Sequence, residues 1–239
     1  MKRILTIIAL LLIIFTVSCQ SSLIVDTVAT INIPETAIVT ETVTVEDTAK
    51  INKLQKQLTD SQAETEKYQD LIANLNDLLK NVYSGYAENN NYKSDGFTAF
   101  SLKHNDKYYL ITAGHCVHYN YEGLDTGEYT SFKFQANFSD NWIYPKLLKY
   151  ENDFNGNRDY AIFTSTKIDS GLNFDLNNTY PEYILGNEDN NIFKQFSIYN
   201  LIEGESGSPV IDIGGETIGI ATGNFCDIDL VIQAINNLK

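Results

Sequence analysis

Cysteine is scarce in this chain of 239 residues: Cys19, Cys116 and Cys226 are the only three. So few thiols exclude a disulfide-stapled scaffold. Basic residues are few as well, 17 Lys and Arg against 31 Asp and Glu, which leaves a net charge of −14. A surface this acidic repels phosphate backbones, so nucleic acid is excluded as a partner, and solubility is its plainest explanation. Histidine occurs three times, at 104, 115 and 118. His115-Cys116-x-His118 has the beginnings of zinc spacing, but no second ligand pair follows, which argues against a metal centre. The apolar run from Ile4 to Val17 covers 14 residues. A membrane span needs about 20, so this run reads as a removable segment rather than an anchor helix.

What is present divides the chain into parts. Met1-Lys2-Arg3, the apolar run and Ser18-Cys19 together read as an export signal over residues 1–19. Thr16-Val17-Ser18-Cys19 resembles a bacterial lipoprotein processing site, in which Cys19 becomes the lipidated N-terminus that ties the protein to the cell envelope, although Thr16 stands where Leu is commoner. Ordinary cleavage near the same point would give a secreted protein instead. Residues 20–48 are rich in Thr, Val and Glu and read as an extended tether. Over 49–83, Ile51, Leu58, Thr65, Ile72 and Leu79 recur every seventh residue, as do Leu54, Ser61, Tyr68, Leu75 and Val82. That is an a/d seam, which predicts a coiled coil and a homo-oligomer; with Ser61 and Thr65 in its centre, a single amphipathic helix lying against the next domain is the other reading. Residues 81–94, polar and containing Gly85, read as a hinge into a domain of 84–239.

Within that domain the segments are short and strand-like. Phe97–Leu102, a turn at Asn105-Asp106 and Tyr108–Thr112 read as a hairpin. Further strands are expected at Thr130–Phe138, Ile143–Tyr150, Tyr160–Thr164, Phe193–Tyr199, Ser208–Ile213 and Glu216–Thr222, with Gly214-Gly215 as a tight turn. Leu230–Leu238 reads as a closing helix capped by Asp227 or Asp229. The fold class is therefore all-β, closed or nearly closed, with one C-terminal helix.

Three motifs carry chemistry. Ser206 sits in Gly204-Glu205-Ser206-Gly207-Ser208-Pro209, a glycine turn that makes its hydroxyl project. A serine at its free pKa is a poor nucleophile and needs a base, for which His115 in Thr112-Ala113-Gly114-His115-Cys116 is the candidate. Asp159, in Arg158-Asp159-Tyr160-Ala161-Ile162-Phe163, supplies the acid that orients an imidazole, and it is preferred to Asp153 because an apolar strand follows it. Gly204 lets the backbone approach a substrate, so the N–H groups of Gly204 and Ser206 can converge on one oxyanion.

The order His, Asp, Ser and these motifs resemble the trypsin-like, chymotrypsin-fold serine proteases, whose signatures read T-A-x-H-C, D-I/L-A-L/V and G-D/N-S-G-G/S-P. The S-G-S-P form, with Gly215–Ile220 after it, is most similar to the HtrA-like and glutamyl-endopeptidase branches. The resemblance implies two antiparallel β-barrels with the triad between them, an acyl-enzyme mechanism acting on protein or peptide substrates, and no cofactor. It places Asn200 at the base of a specificity pocket and Ala221, Thr222 and Gly223 along its wall. A neutral Asn200 gives no support for trypsin-like cleavage after Lys or Arg. The upstream cysteine that animal members pair with the one after the histidine is absent near Phe100, so Cys116 and Cys226 are expected to be free and buried. Glu205 replaces the usual Asp or Asn. No Ile-Val-Gly-Gly-like start marks an activation site, so activity without zymogen cleavage is expected. The alternative function is a catalytically idle surface protein that uses the fold and the helix for binding or assembly.

Overall fold

A computed structural model of the chain describes residues 45–94, 96–121, 123–153, 157–177, 183–186, 193–197, 201–202, 204–223 and 225–238. The signal segment with Cys19, the tether as far as residue 44 and the pocket position Asn200 lie outside them. The chain divides into two compact units, Met1–Lys53 and Leu54–Lys239. The described part of the first is the opening of helix α1, Val45–Leu79; no described helix is long and apolar enough to cross a membrane.

The second unit is built on two antiparallel sheets. The larger has seven strands: β1 (Val82–Glu88), β2 (Phe97–His104), β3 (Lys107–Thr112), β6 (Ser131–Ala136), β7 (Trp142–Ile143), β8 (Lys146–Asp153) and β9 (Arg158–Thr164), in the order β7-β6-β1-β2-β3-β9-β8. The smaller has five: β10 (Tyr183–Leu185), β11 (Phe193–Gln195), β12 (Pro209–Ile211), β13 (Thr217–Ile220) and β14 (Cys226–Asp227), in the order β11-β10-β12-β13-β14. A short ribbon, β4 (Asn120–Tyr121) with β5 (Leu124–Asp125), stands apart, and helix α2 (Ile228–Asn236) closes the described chain. The Asp227 side chain accepts from the Asp229 N–H and caps α2, as its sequence foretells.

The β2–β3 hairpin shows how sequence sets register. Asn105 and Asp106 both take positive φ, 48° and 57°, the mirror-image turn geometry that these two residue types tolerate and that matches strand twist. It pairs His104 with Lys107, and the ladder runs back to Phe100 opposite Ile111. Strands β2, β3 and β9 are buried on both faces. Phe97, Ala99, Leu110, Ala161 and Phe163 join Phe132, Phe134 and Ile143 in one core; Phe100, Leu102, Ile111, Tyr160 and Ile162 join Leu185, Ile211, Ile220 and α2 in the other. Burial on both sides explains why Tyr109-Leu110-Ile111 reads as a continuous apolar run rather than an alternation.

The C-terminal part of helix α1 lies against the domain. Leu71 and Leu79 are 3% exposed and, with Leu75 and Leu78, pack on the second core. Tyr68 meets Tyr183 edge to face at 6.5 Å. The packed face thus takes Leu75 and Leu79 from the sevenfold seam and adds Leu71 and Leu78 from outside it, while Tyr68 stays 36% exposed. Ile51, Leu54, Leu58 and Ile72 stay exposed, Ile72 by 68%. The stretch read as a hinge holds β1 instead: Gly85 is flanked by the rings of Phe97 and Phe134 with no space for a side chain, and polar Ser84 pairs with Thr98 in the middle of the sheet. Val82, the last seam position, opens that strand.

Leu79→Ala is expected to cost about 2–5 kcal/mol in urea unfolding, because the cavity it leaves lies in a two-sided core. Leu58→Ala should change stability by no more than about 0.5 kcal/mol. Equal effects at the two positions would contradict the packing of α1.

Candidate active site

Antiparallel pairing of β3 with β9, with Thr112 opposite Ala161, runs the chain beyond Thr112 alongside the residues that precede Ala161. Asp159 therefore meets the segment that follows Ala113. That segment is a single 3-10 turn, Gly114–Cys116. Gly114 is seated where a Cβ would strike the Glu151 carbonyl and lie 3.0 Å from that of Tyr160, so only glycine lets the turn close on β8 and β9.

The result is a bidentate grip. Asp159 Oδ1 accepts from the His115 backbone N–H at 2.8 Å, and Oδ2 lies 2.6 Å from Nδ1. A carboxylate only accepts, so Nδ1 carries a proton, and when the ring is neutral the lone pair is on Nε2. The Asp159 side chain is fully buried and that of His115 is 11% exposed. Burial lowers the imidazole pKa, but the adjacent Cys116 and the Asp159 carboxylate outweigh it and hold the value above the ordinary 6.5. Behind Asp159, burial pushes the Cys226 thiol up to about 12, so it stays protonated beside the carboxylate. Cys116 and Cys226 are both free and buried.

Ser206 arrives from the other sheet. Gly204 and Gly207 take positive φ, 87° and 89°, and turn the loop sharply on either side of it. The turn rests on the first sheet: Thr98 N–H donates to Ser206 O at 3.0 Å, Thr98 Oγ1 donates to Gly204 O at 2.8 Å, and Cys116 Sγ lies 4.0 Å from Ser206 O. A Cβ on Gly207 would collide with Thr112 Oγ1 and Thr98 O and lie 3.0 Å from Ala113 N. Ser206 is thus one residue from a glycine packed on the backbone that leads into His115. His115, Ser206, Gly204, Cys116, Phe97 and Tyr119 line one cleft of about 470 Å³.

The remaining sequence candidates fall as follows. Ala221 and Thr222 are buried at the end of β13; Ala221 accepts from Gly207 N–H and donates to Ser208 O, both at 2.8 Å, and Gly223 follows, exposed. They flank the Ser206 loop without lining the cleft. His118 turns to Asp125 at 2.8 Å and His104 to Asn236 at 2.8 Å, so neither joins Cys116 in a ligand set. Among the described residues one group of potential ligands is close enough to share a cation, Asp175, Asp212 and Glu216, and no motif in the sequence marks it. Thr98, Thr112 and Lys194 were also missed. The threonines sit in unremarkable strand sequence, and Lys194 finds Glu205 only through the fold.

His115 should titrate by NMR with a midpoint above 6.5, and Asp159→Asn should bring it down by removing the stabilising charge. The sign follows: a raised folded-state value means protonated His115 stabilises the fold below about 6.5, and this contribution disappears as pH rises through the folded value. A wild-type midpoint below 6.5, or one unmoved by Asp159→Asn, would refute the grip.

No family model matches the chain and no curated protein matches it. Among solved structures, the active form of the Rv3671c protease of M. tuberculosis is similar at 14% identity and a TM-score of 0.50, over 69% of this chain and 83% of that one. The serine endoprotease from Yersinia pestis is similar at 13% identity and a TM-score of 0.51, over 72% of this chain and 66% of that one, just under two thirds of its length. Two antiparallel sheets, a C-terminal helix and these likenesses give the chain the chymotrypsin-like fold of serine proteases.

Proposed function

We propose that this chain is an exported serine endopeptidase acting through Ser206, His115 and Asp159. The observation that carries the reading is one arrangement: a fully buried carboxylate holds both the N–H and the Nδ1 of His115, and the imidazole shares a cleft with Ser206. The larger and smaller sheets stand for the two barrels of the fold, with the triad between them.

In this reading His115 Nε2 takes the proton of Ser206 as Oγ attacks the peptide carbonyl. The carbonyl electrons move onto oxygen, which the N–H groups of Gly204 and Ser206 receive. Collapse of the tetrahedral species expels the amine, which takes the proton back from His115 and leaves an acyl-Ser206 ester. Water, deprotonated by the same imidazole, attacks the ester carbonyl; the bond to Ser206 Oγ breaks, Oγ takes the proton back from His115, and the acid is released. Asp159 fixes the tautomer and balances the imidazolium. The substrate is protein or peptide, and Ala221, Thr222 and Gly223, which flank the Ser206 loop, are assigned to the wall of its specificity pocket. A raised His115 pKa keeps the base protonated to higher pH, so the acid limb of kcat/KM falls above 6.5.

Export through residues 1–19 and lipidation at Cys19 belong to the same proposal, and the exposed stripe of Leu54, Leu58 and Ile72 supports self-association through α1. Sedimentation of the exported form is expected to show an oligomer that Leu58→Asp dissociates without loss of catalysis; a monomeric wild type removes this part.

A fluorophosphonate probe should label Ser206, and Ser206→Ala should abolish labelling. Asp159→Asn should lower kcat by about 10⁴ with the fold intact. Folded wild type that takes no label supports the non-catalytic binding role instead.

A further inference from the structure

Glu205 is the residue immediately before Ser206, yet its side chain points away from the cleft and is 0% exposed. Its Oε2 accepts from Ile202 N–H at 2.9 Å and from Lys194 Nζ at 2.6 Å. Lys194 is the middle residue of β11, the edge strand of the smaller sheet, where it pairs with Ile184. Its side chain is 20% exposed, so the ammonium reaches inward to the carboxylate. A carboxylate is held in so dry a place only if a cation and N–H donors compensate it. Glu205 Oε1 has no hydrogen-bond partner among the described residues, so the compensation falls on Oε2, where Ile202 N–H donates and Lys194 supplies the cation.

The position of this pair matters because two glycines give the loop no shape of their own, so its anchors supply that shape. Gly204 and Gly207, the two residues with positive φ, bracket Glu205 and Ser206 and can adopt many backbone shapes. From the first sheet, Thr98 holds the carbonyls of Gly204 and Ser206, and Gly207 is wedged against Thr112. Glu205 has its own anchor: its carbonyl accepts from Ser208 N–H at 3.0 Å and its side chain is drawn the other way by β11. The peptide joining Glu205 to Ser206 carries one of the two N–H groups assigned to the oxyanion, and its direction follows from where the Glu205 side chain is held.

We infer that Lys194 is a positioning residue, which by ion pairing with Glu205 sets the Ser206 loop in its reactive shape as the chain folds. This rests on the serine endopeptidase reading and adds to it a regulatory consequence: the charge that orders the loop comes from within the sheet, so no newly cut chain terminus is required.

The test uses the full exported chain and the fluorophosphonate labelling rate, with kcat and KM on a peptide substrate. Lys194→Met should fold yet lower kcat and the labelling rate by about 10²–10³, the effect of losing one oxyanion donor, with KM little changed. Lys194→Arg should restore most of the rate. The double variant Lys194→Met with Glu205→Gln removes the uncompensated buried charge; it should recover the thermal midpoint of wild type while labelling stays slow. Labelling of the double variant at the wild-type rate would falsify the inference, since the pair would then serve stability alone. Limited proteolysis ahead of β1 gives a check that needs no variant: the labelling rate of wild type should be the same before and after the cut, and a rise overturns the inference. Wild type that never labels refutes the endopeptidase reading itself, a result distinct from any of these.

Discussion

At Gly207 the backbone of one sheet's loop touches the strand ends of the other sheet so closely that no side chain can intervene. The contact has two parts. Thr98 and Thr112 are both fully buried, Thr112 Oγ1 donates to the Thr98 carbonyl at 2.6 Å, and Gly207 fits over that bond. Thr98 then ties Gly204 and Ser206 from the same strand. Because Thr112 and Ala113 lead directly into the turn that bears His115, Ser206 and His115 are referenced to one small patch of backbone. A displacement of this patch would move both groups together, which preserves their spacing.

Two buried carboxylates flank that patch and do different work. Asp159 belongs to the larger sheet and grips His115; Glu205 belongs to the loop and is gripped by the smaller sheet. Each is fully buried, so each demands a partner brought by another element. The demand is met by a backbone N–H and an imidazole in one case, and by a backbone N–H and an ammonium in the other. Asp159 meets His115 only once β3 has paired with β9, and Glu205 meets Lys194 only once β11 has joined the smaller sheet, so completion of each half of the site is coupled to completion of its own sheet.

Much of this was legible in the residues. The three motifs stood in chain order, the hairpin turn was written in Asn105-Asp106, and the cap of α2 in Asp227. Other features were hidden for physical reasons. β1 is rich in small and polar residues because it packs against bulky Phe97 and Phe134 rings, so its sequence resembles a linker. The sevenfold count in α1 followed repeats of apolar type, but the core selects positions by angle around the helix, and Leu71 and Leu78 face it without belonging to the count. Lys194 gave no signal because the partner of a buried carboxylate is specified by sheet pairing, which local pattern does not carry.

The unpaired thiols Cys116 and Cys226 have a consequence for how the domain matures. Cohesion among the described residues comes from interlocked side chains such as Phe100, Phe134, Tyr160 and Phe163 rather than from covalent bridges. Among the described residues a reducing milieu therefore has no crosslink to sever, and assembly of the domain does not wait on thiol oxidation.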